Sequence, residues 1–240
     1  TDRTTTFSNM KHYFSERNPD LEICSHRTNS IARFIRFNAV LDCMEVDINI
    51  ENDYLDVRHS TEDSTSLKLT DLISIQKKKQ NILWLDVKNV KSEDQCNGFF
   101  NILKNIYLKN DKINLFIELP SEIIKKIKSY KQCISNIKSM NFPISYYIPD
   151  DIKTKCTKEK EQDISTQNNC QYLDNLLEKI YKSKLFTDLS FDYKNYVFLE
   201  SSKYVDHFIL NTWHIPDEEI ITISDQNFRL IIPFNDNINY

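Results

Sequence analysis

Read for the alternation of apolar and polar positions, the chain is a series of short β-branched runs separated by stretches of helical period. LEICS (21–25) predicts a strand, SIARFIRFNAV (30–40) a helix and LDCMEVDI (41–48) a second strand. YLDVRH (54–59) adds a brief extended piece, followed by a helix near 67–78, the strand ILWLDVK (82–88) and a helix near 93–108. The second half continues with the strand INLFIEL (113–119), a helix over 121–139, the strand PISYYI (143–148), a polar stretch and a helix over 171–183. LFTDLSF (185–191), HFILNTW (207–213) and FRLIIPF (228–234) complete the series, with 194–205 of undecided type. About eight strand candidates alternating with helices over 240 residues predict an α/β chain, a (β/α)₈ TIM barrel irregular in its last third. A doubly wound open sheet is the alternative. The expected organisation is one domain over 1–240, with an amino-terminal extension at 1–20 and a polar excursion or flap at 151–170.

Because side chains alternate across a strand, Glu45 and Asp47 share one face of CMEVDI, while Met44, Val46 and Ile48 take the other. In LWLDVK the same rule sets Trp84, Asp86 and Lys88 on one side, opposite Leu83, Leu85 and Val87. In a barrel the apolar set packs beneath the helices and the polar set lies inside or at the rim. His26 follows the first strand, Glu45 and Asp47 end the second, His59 ends the extended piece, and Asp86 with Lys88 ends the next. Barrel active sites gather at that carboxyl end. Three carboxylates offer hard oxygen ligands suited to Mg²⁺ or Ca²⁺, and two histidines can exchange protons near neutral pH, one as base and one as acid. Arg27 and Lys88 add positive charge for the anionic oxygens of a phosphodiester. Taken singly each residue is ordinary: a strand-end histidine is usually a satisfied polar group, and Asp86 with Lys88 can be a surface pair. Their common placement inside otherwise apolar strands is what points to a site.

Composition narrows the function. The net charge of -4 leaves no surplus positive charge for a nucleic-acid backbone, so no nucleic-acid partner is expected. No apolar run approaches a membrane span, and the mean hydropathy is -0.52. A single glycine, Gly98, excludes glycine-rich phosphate cradles, while 24 asparagines offer turn residues, among them Asn52, Asn110 and Asn235.

Six cysteines stand at 24, 43, 96, 133, 156 and 170. Cys24 and Cys43 lie in apolar strands and read as free, buried small hydrophobes. Cys156 and Cys170 bracket the polar stretch, where a bridge and an open loop are equally compatible with the residues. With no C-x-x-C, zinc and thioredoxin-like chemistry lack support. The chain begins at Thr1 rather than Met, as a processed or a truncated chain would, and that start says nothing of compartment. An extracytoplasmic protein, secreted, periplasmic or surface-tethered, is the expectation. KKK at 77–79 reads as a solvated helix terminus.

With these residues assembled, the first 90 or so positions resemble the glycerophosphodiester phosphodiesterase-like superfamily, a set of (β/α)₈ phosphodiesterases that includes the sphingomyelinase D type and the menorin group. His26-Arg27, Glu45-x-Asp47, His59 and LWLDVKN carry the resemblance, and SHRTNSIARF looks most like menorin. It implies His26 and His59 as general acid and base, Glu45, Asp47 and Asp86 as Mg²⁺ or Ca²⁺ ligands, and Lys88 as a phosphate contact. Trp213 resembles an aromatic wall of the family's pocket. The form H-R-G is not met, since Thr28 replaces Gly, and Asn29 stands near an expected metal-binding Glu. Asn29 either offers its amide oxygen to the cation or caps the helix beginning at Ser30. Glu118 lies at a strand terminus where it could line the mouth; His207 and His214 are lesser candidates.

The implied activity is metal-dependent cleavage of a glycerophosphodiester, lysophospholipid or phosphate-linked glycan, by water or by a neighbouring hydroxyl that yields a cyclic phosphate. The implied partner is the small phosphodiester or lipid head-group substrate. Two alternatives remain: a non-catalytic barrel serving as a binding or adaptor module, and a metal-independent phosphatidylinositol-type phospholipase.

Overall fold

The computed structural model describes residues 22–76, 80–110, 113–147, 170–192, 208–211 and 228–232, together with His12, Glu16 and Cys156. Among these, β1 (Glu22–Ser25), β2 (Cys43–Glu51), β4 (Ile82–Val87), β5 (Asn114–Leu119), β6 (Ile144–Tyr147), β7 (Asp188–Asp192), β8 (Phe208–Asn211) and β9 (Phe228–Ile232) pair in parallel. They form a curled sheet of TIM-barrel-like type, in which β1 has a parallel neighbour on each side, β2 and β9. β3 (Tyr54–Val57) turns back antiparallel along the far end of β2, with Ile48 opposite Val57 and Glu51 opposite Tyr54. Asn52, at φ 35°, makes that reversal in a chain almost without glycine.

Six helices are described: α1 (Ile31–Asn38), α2 (Leu69–Ile75), α3 (Glu93–Lys109), α4 (Glu122–Lys125), α5 (Ile127–Lys138) and α6 (Gln171–Ser183). α1 starts where Ser30 accepts from the Arg33 N–H, and it buries Phe34 and Phe37 at its inner face. α3 starts the same way at Ser92, with Glu93 and Asp94 in its first turn and Lys109 in its last, matching the helix dipole at both ends. The single helix expected over 121–139 is broken at Lys126, whose backbone (φ -123°, ψ 32°) leaves the helical region between α4 and α5. The helix expected over 67–78 ends at Ile75, so KKK at 77–79 lies outside the described residues rather than at a described helix terminus.

The strands divide their side chains as the alternation predicts. Met44, Val46, Ile48, Leu83, Leu85, Val87, Leu115 and Ile117 join the large core beneath the helices. Cys24, Cys43, Ile82, Trp84 and Phe116 form a second, smaller cluster on the opposite face. Trp84 and Phe116 meet there edge to face, ring centroids 5.5 Å apart. This apolar plug lies directly below the polar ends of the same strands.

The reading of Cys24 and Cys43 as free hydrophobes is overturned. Parallel pairing of β1 with β2 makes them Cα partners, and at a Cα separation of 4.3 Å they are joined in a disulfide. Cys96 of α3 is bridged to Cys133 of α5, and Cys156 to Cys170, which closes the polar excursion. Loops of these lengths restrict the unfolded chain by about 3–4 kcal/mol each.

Candidate functional site

The β2–β4 register places Asp47 opposite Asp86, one step beyond Glu45 opposite Trp84. Glu45, Asp47 and Asp86 each offer a carboxylate oxygen, and these oxygens all lie within 4.8 Å of one another. Glu45 and Asp47 are buried and Asp86 is partly so. Lys88 reaches back over the group: its Nζ is 2.9 Å from Asp47 Oδ1 and also pairs with Asp86.

The loop after β1 locks onto this trio. Arg27 holds φ 49°, a left-handed conformation costing about 1–2 kcal/mol for a residue with a Cβ. The turn aims its backbone N–H at Glu45 Oε2, 2.5 Å away. Thr28, standing where the family motif has Gly, is buried and donates its backbone N–H to the Glu45 carbonyl, 2.8 Å away. Asn29 neither caps α1, a role Ser30 fills, nor leaves its amide idle. Its Nδ2 donates to Asp47 Oδ2 at 2.6 Å, and its Oδ1 accepts from the Asp47 backbone N–H at 2.9 Å. Asn29 therefore orients a member of the trio.

Both histidines reach the same place from different elements. His26 Nε2 lies 3.8 Å from Glu45 Oε2. His59 is delivered by the β2–β3 hairpin: the Arg58 N–H donates to the Asp47 carbonyl and Asn49 Nδ2 to the Arg58 carbonyl. Arg58 in turn is held by Asp56 and Glu51, each at 2.6 Å. Arg27 Nη2 is 3.1 Å from His59 Nε2. A guanidinium can only donate, so this ring nitrogen is the acceptor, while Nδ1 faces Thr61, 2.8 Å from its Oγ1 and 3.4 Å from its backbone nitrogen.

Electrostatics follow from crowding the charges in a space with little water. Burial, reinforced by Asp47 and Asp86, pushes Glu45 well above the usual carboxylate range. Burial acts upward on Asp47 as well, but Lys88 and Asn29 outweigh it and hold that carboxyl below its ordinary value. Asp86 is raised by burial, with Lys88 opposing. Burial alone would lower Lys88, yet Asp86, Asp47 and Glu45 together raise it. Burial lowers His26 to about 3, against the pull of Asp47. The Lys88 ammonium thus stands among three acids, and among the described residues Glu45 Oε1 is buried without a hydrogen-bond partner. Hard oxygen donors, tight spacing and that unsatisfied oxygen all fit a divalent cation such as Mg²⁺ or Ca²⁺.

Of the remaining candidates, Glu118 is buried on the inner face of β5, where it is the register partner of Asp86 on one side and of Ser145 on the other. Ser145, fully buried in β6, was not singled out from the sequence; its one signal there is a lone hydroxyl in the apolar run PISYYI. Thr61 was missed likewise, since nothing local marks its contact with His59. Trp213, His207 and His214 lie outside the described residues. No helix among the described residues is long and apolar enough to cross a membrane.

No protein-family model and no curated protein matches this sequence. Among solved structures the chain is similar to a protein of Silicibacter pomeroyi DSS-3 described as "Putative glycerophosphoryl diester phosphodiesterase". The TM-score is 0.54 at 9% sequence identity, covering 88% of this chain and 89% of that one. At that identity the likeness is one of fold, the fold that the resemblance of the first 90 positions implied.

Proposed function

We propose that this chain is a metal-dependent phosphodiesterase, built on a closed (β/α)₈ barrel, that cleaves a glycerophosphodiester, lysophospholipid or phosphate-linked glycan. The observation that carries the reading is the convergence of Glu45, Asp47 and Asp86, with His26 beside Glu45 and His59 beside Arg27, at the carboxyl ends of parallel strands. Pairing of β1 with both β2 and β9 supports closure, and likeness of fold to a protein described as a phosphodiesterase supports the reaction class. Three disulfides fit an oxidising, extracytoplasmic compartment.

Glu45, Asp47 and Asp86 would hold Mg²⁺ or Ca²⁺, which when bound supplies charge neutralisation for the phosphate oxygens. Arg27 and Lys88 hold the remaining anionic oxygen. His26 and His59 divide the proton traffic: one accepts the proton of the attacking water or substrate hydroxyl, the other donates a proton to the departing alcohol oxygen. The bond formed is P–O to the nucleophile and the bond broken is P–O to the leaving alcohol, so charge and protons balance. Asn29 keeps Asp47 aimed at the cation.

The test is hydrolysis of generic phosphodiesters with EDTA and with added Mg²⁺ or Ca²⁺, on the wild type and on His26→Ala and His59→Ala. The expected result is turnover that EDTA abolishes and that each substitution lowers by about 10²–10⁴-fold. Turnover unaffected by both substitutions would remove the assignment. The bridging of Asp47 and Asp86 by Lys88 favours a second reading, in which that ion pair is permanent and the barrel binds without cleaving. A trio that takes up neither cation in calorimetry, in a protein that turns over no diester, would support it.

A further inference from the structure

A cavity of about 300 Å³ opens between the β2–β3 hairpin, the start of α2 and the second half of α3, and it shares no residue with the site at the strand ends. Its floor and its rim differ in character. Leu55, Leu69 and Ile106 are buried and Ile102 is half-buried, so the floor is aliphatic. Lys68, Lys109 and Asp53 are exposed and stand at the rim, and among the described residues none of the three forms an ion pair. The Lys68 ammonium lies 4.9 Å from the centre of the Tyr54 ring, which also lines the cavity, a contact that steadies it beside the opening. Lys109 ends α3. Two cations against one acid give this opening a local positive excess on a chain whose net charge is -4.

We propose that this cavity is a binding site for a small apolar carboxylate, a medium-chain fatty acid in chemical class, with its hydrocarbon on the aliphatic floor and its carboxylate at the Lys68 and Lys109 ammonium groups. Small-molecule sites combine a concave apolar lining with a few polar groups that fix orientation, and about 300 Å³ is at the lower end of their size range. Each half of the ligand answers one level of the cavity. Hydrocarbon leaving water gains in proportion to the area buried, and a carboxylate accepts charge-assisted hydrogen bonds from ammonium groups. A neutral alcohol of the same length keeps only the first gain, and an alkylammonium meets repulsion at the rim. Asp53 opposes the anion from that rim but is outnumbered. None of the residues proposed for phosphodiester cleavage takes part, so the two assignments stand or fall separately.

The experiment titrates the whole chain with octanoate, octanol and octylammonium, following the NMR signals of the Leu55, Leu69, Ile102 and Ile106 methyl groups. Octanoate, with about ten non-hydrogen atoms, is expected to shift these methyls to saturation with a dissociation constant of about 1 mM or tighter. Octanol should bind about fivefold more weakly and octylammonium more weakly still, and replacing both lysines, Lys68→Gln with Lys109→Gln, should bring octanoate within about twofold of octanol. Both lysines are exposed, and the methyl spectrum itself verifies that the variant folds; the three-ligand comparison on the wild type decides if it does not. Shifts that fail to saturate or that centre on other methyls overturn the proposal. So does octanol or octylammonium binding as tightly as octanoate, or a preference for octanoate that survives undiminished in the double variant.

Discussion

Asn29 and Asp47 hold each other twice, the amide NH₂ on the carboxylate at 2.6 Å and the amide oxygen on the backbone N–H at 2.9 Å. The first bond leaves the other Asp47 oxygen facing Lys88 and the acidic trio, and the second fastens the loop after β1 to the middle of β2. A residue reached from the sequence as a departure from a family motif thus takes up a supporting position behind a carboxylate proposed to hold the metal.

Asn29→Ala should lower Mg²⁺ or Ca²⁺ affinity by about 10–100-fold, the usual effect of removing a group that orients a metal-binding side chain. It should also cost about 1–3 kcal/mol of stability, because the buried Asp47 N–H loses its acceptor. Calorimetric metal titration and thermal denaturation measure the two effects. Unchanged metal affinity would mean that Asn29 serves the loop alone.

Lys88→Met removes the cation that, among the described residues, pairs with both Asp47 and Asp86. Without it the metal-free protein carries uncompensated buried acids, and the expected loss is about 3 kcal/mol. Added Mg²⁺ or Ca²⁺ should raise the melting temperature of this variant more than that of the wild type. Equal gains would show that the ammonium and the cation do not share the carboxylates.

All six cysteines are paired. Intact mass after alkylation of the native, unreduced protein should therefore show no added groups, and six after reduction. Replacing Cys96 and Cys133 together by Ser should lower stability by about 4 kcal/mol, the loop entropy released between α3 and α5. An alkylated Cys24 in the unreduced protein would contradict the β1–β2 bridge.

Gly98 sits inside α3, and a Cβ built there meets nothing within 4 Å. Glycine in a helix interior costs about 1 kcal/mol relative to alanine, so Gly98→Ala should stabilise the protein by about that amount. The change reads directly in a denaturant midpoint; a neutral or lower midpoint would place an unseen contact at that position.

Much of the site was legible because the relevant rule is local. Period-two alternation within β2 and β4 puts Glu45 and Asp47, and likewise Asp86 and Lys88, on the face opposite Met44 and Leu85 whatever the rest of the chain does. Placement at the carboxyl ends of strands needed only element order. Glu118 was visible by the same rule, whereas Ser145 was not, since a serine in an apolar strand gains meaning only when its neighbour across the sheet is known.

The sequence by itself determined the succession of strands and helices, the face each strand residue takes, and the chemical character of the groups at the strand ends. Only the tertiary structure decided which residues become neighbours across strands: Cys24 with Cys43, Asp47 with Asp86, Glu118 with Ser145. Alternation follows from the geometry of a single backbone. Register depends on how distant segments, from 19 to more than 30 residues apart, slide against one another to bury a common core, and no local pattern encodes that choice.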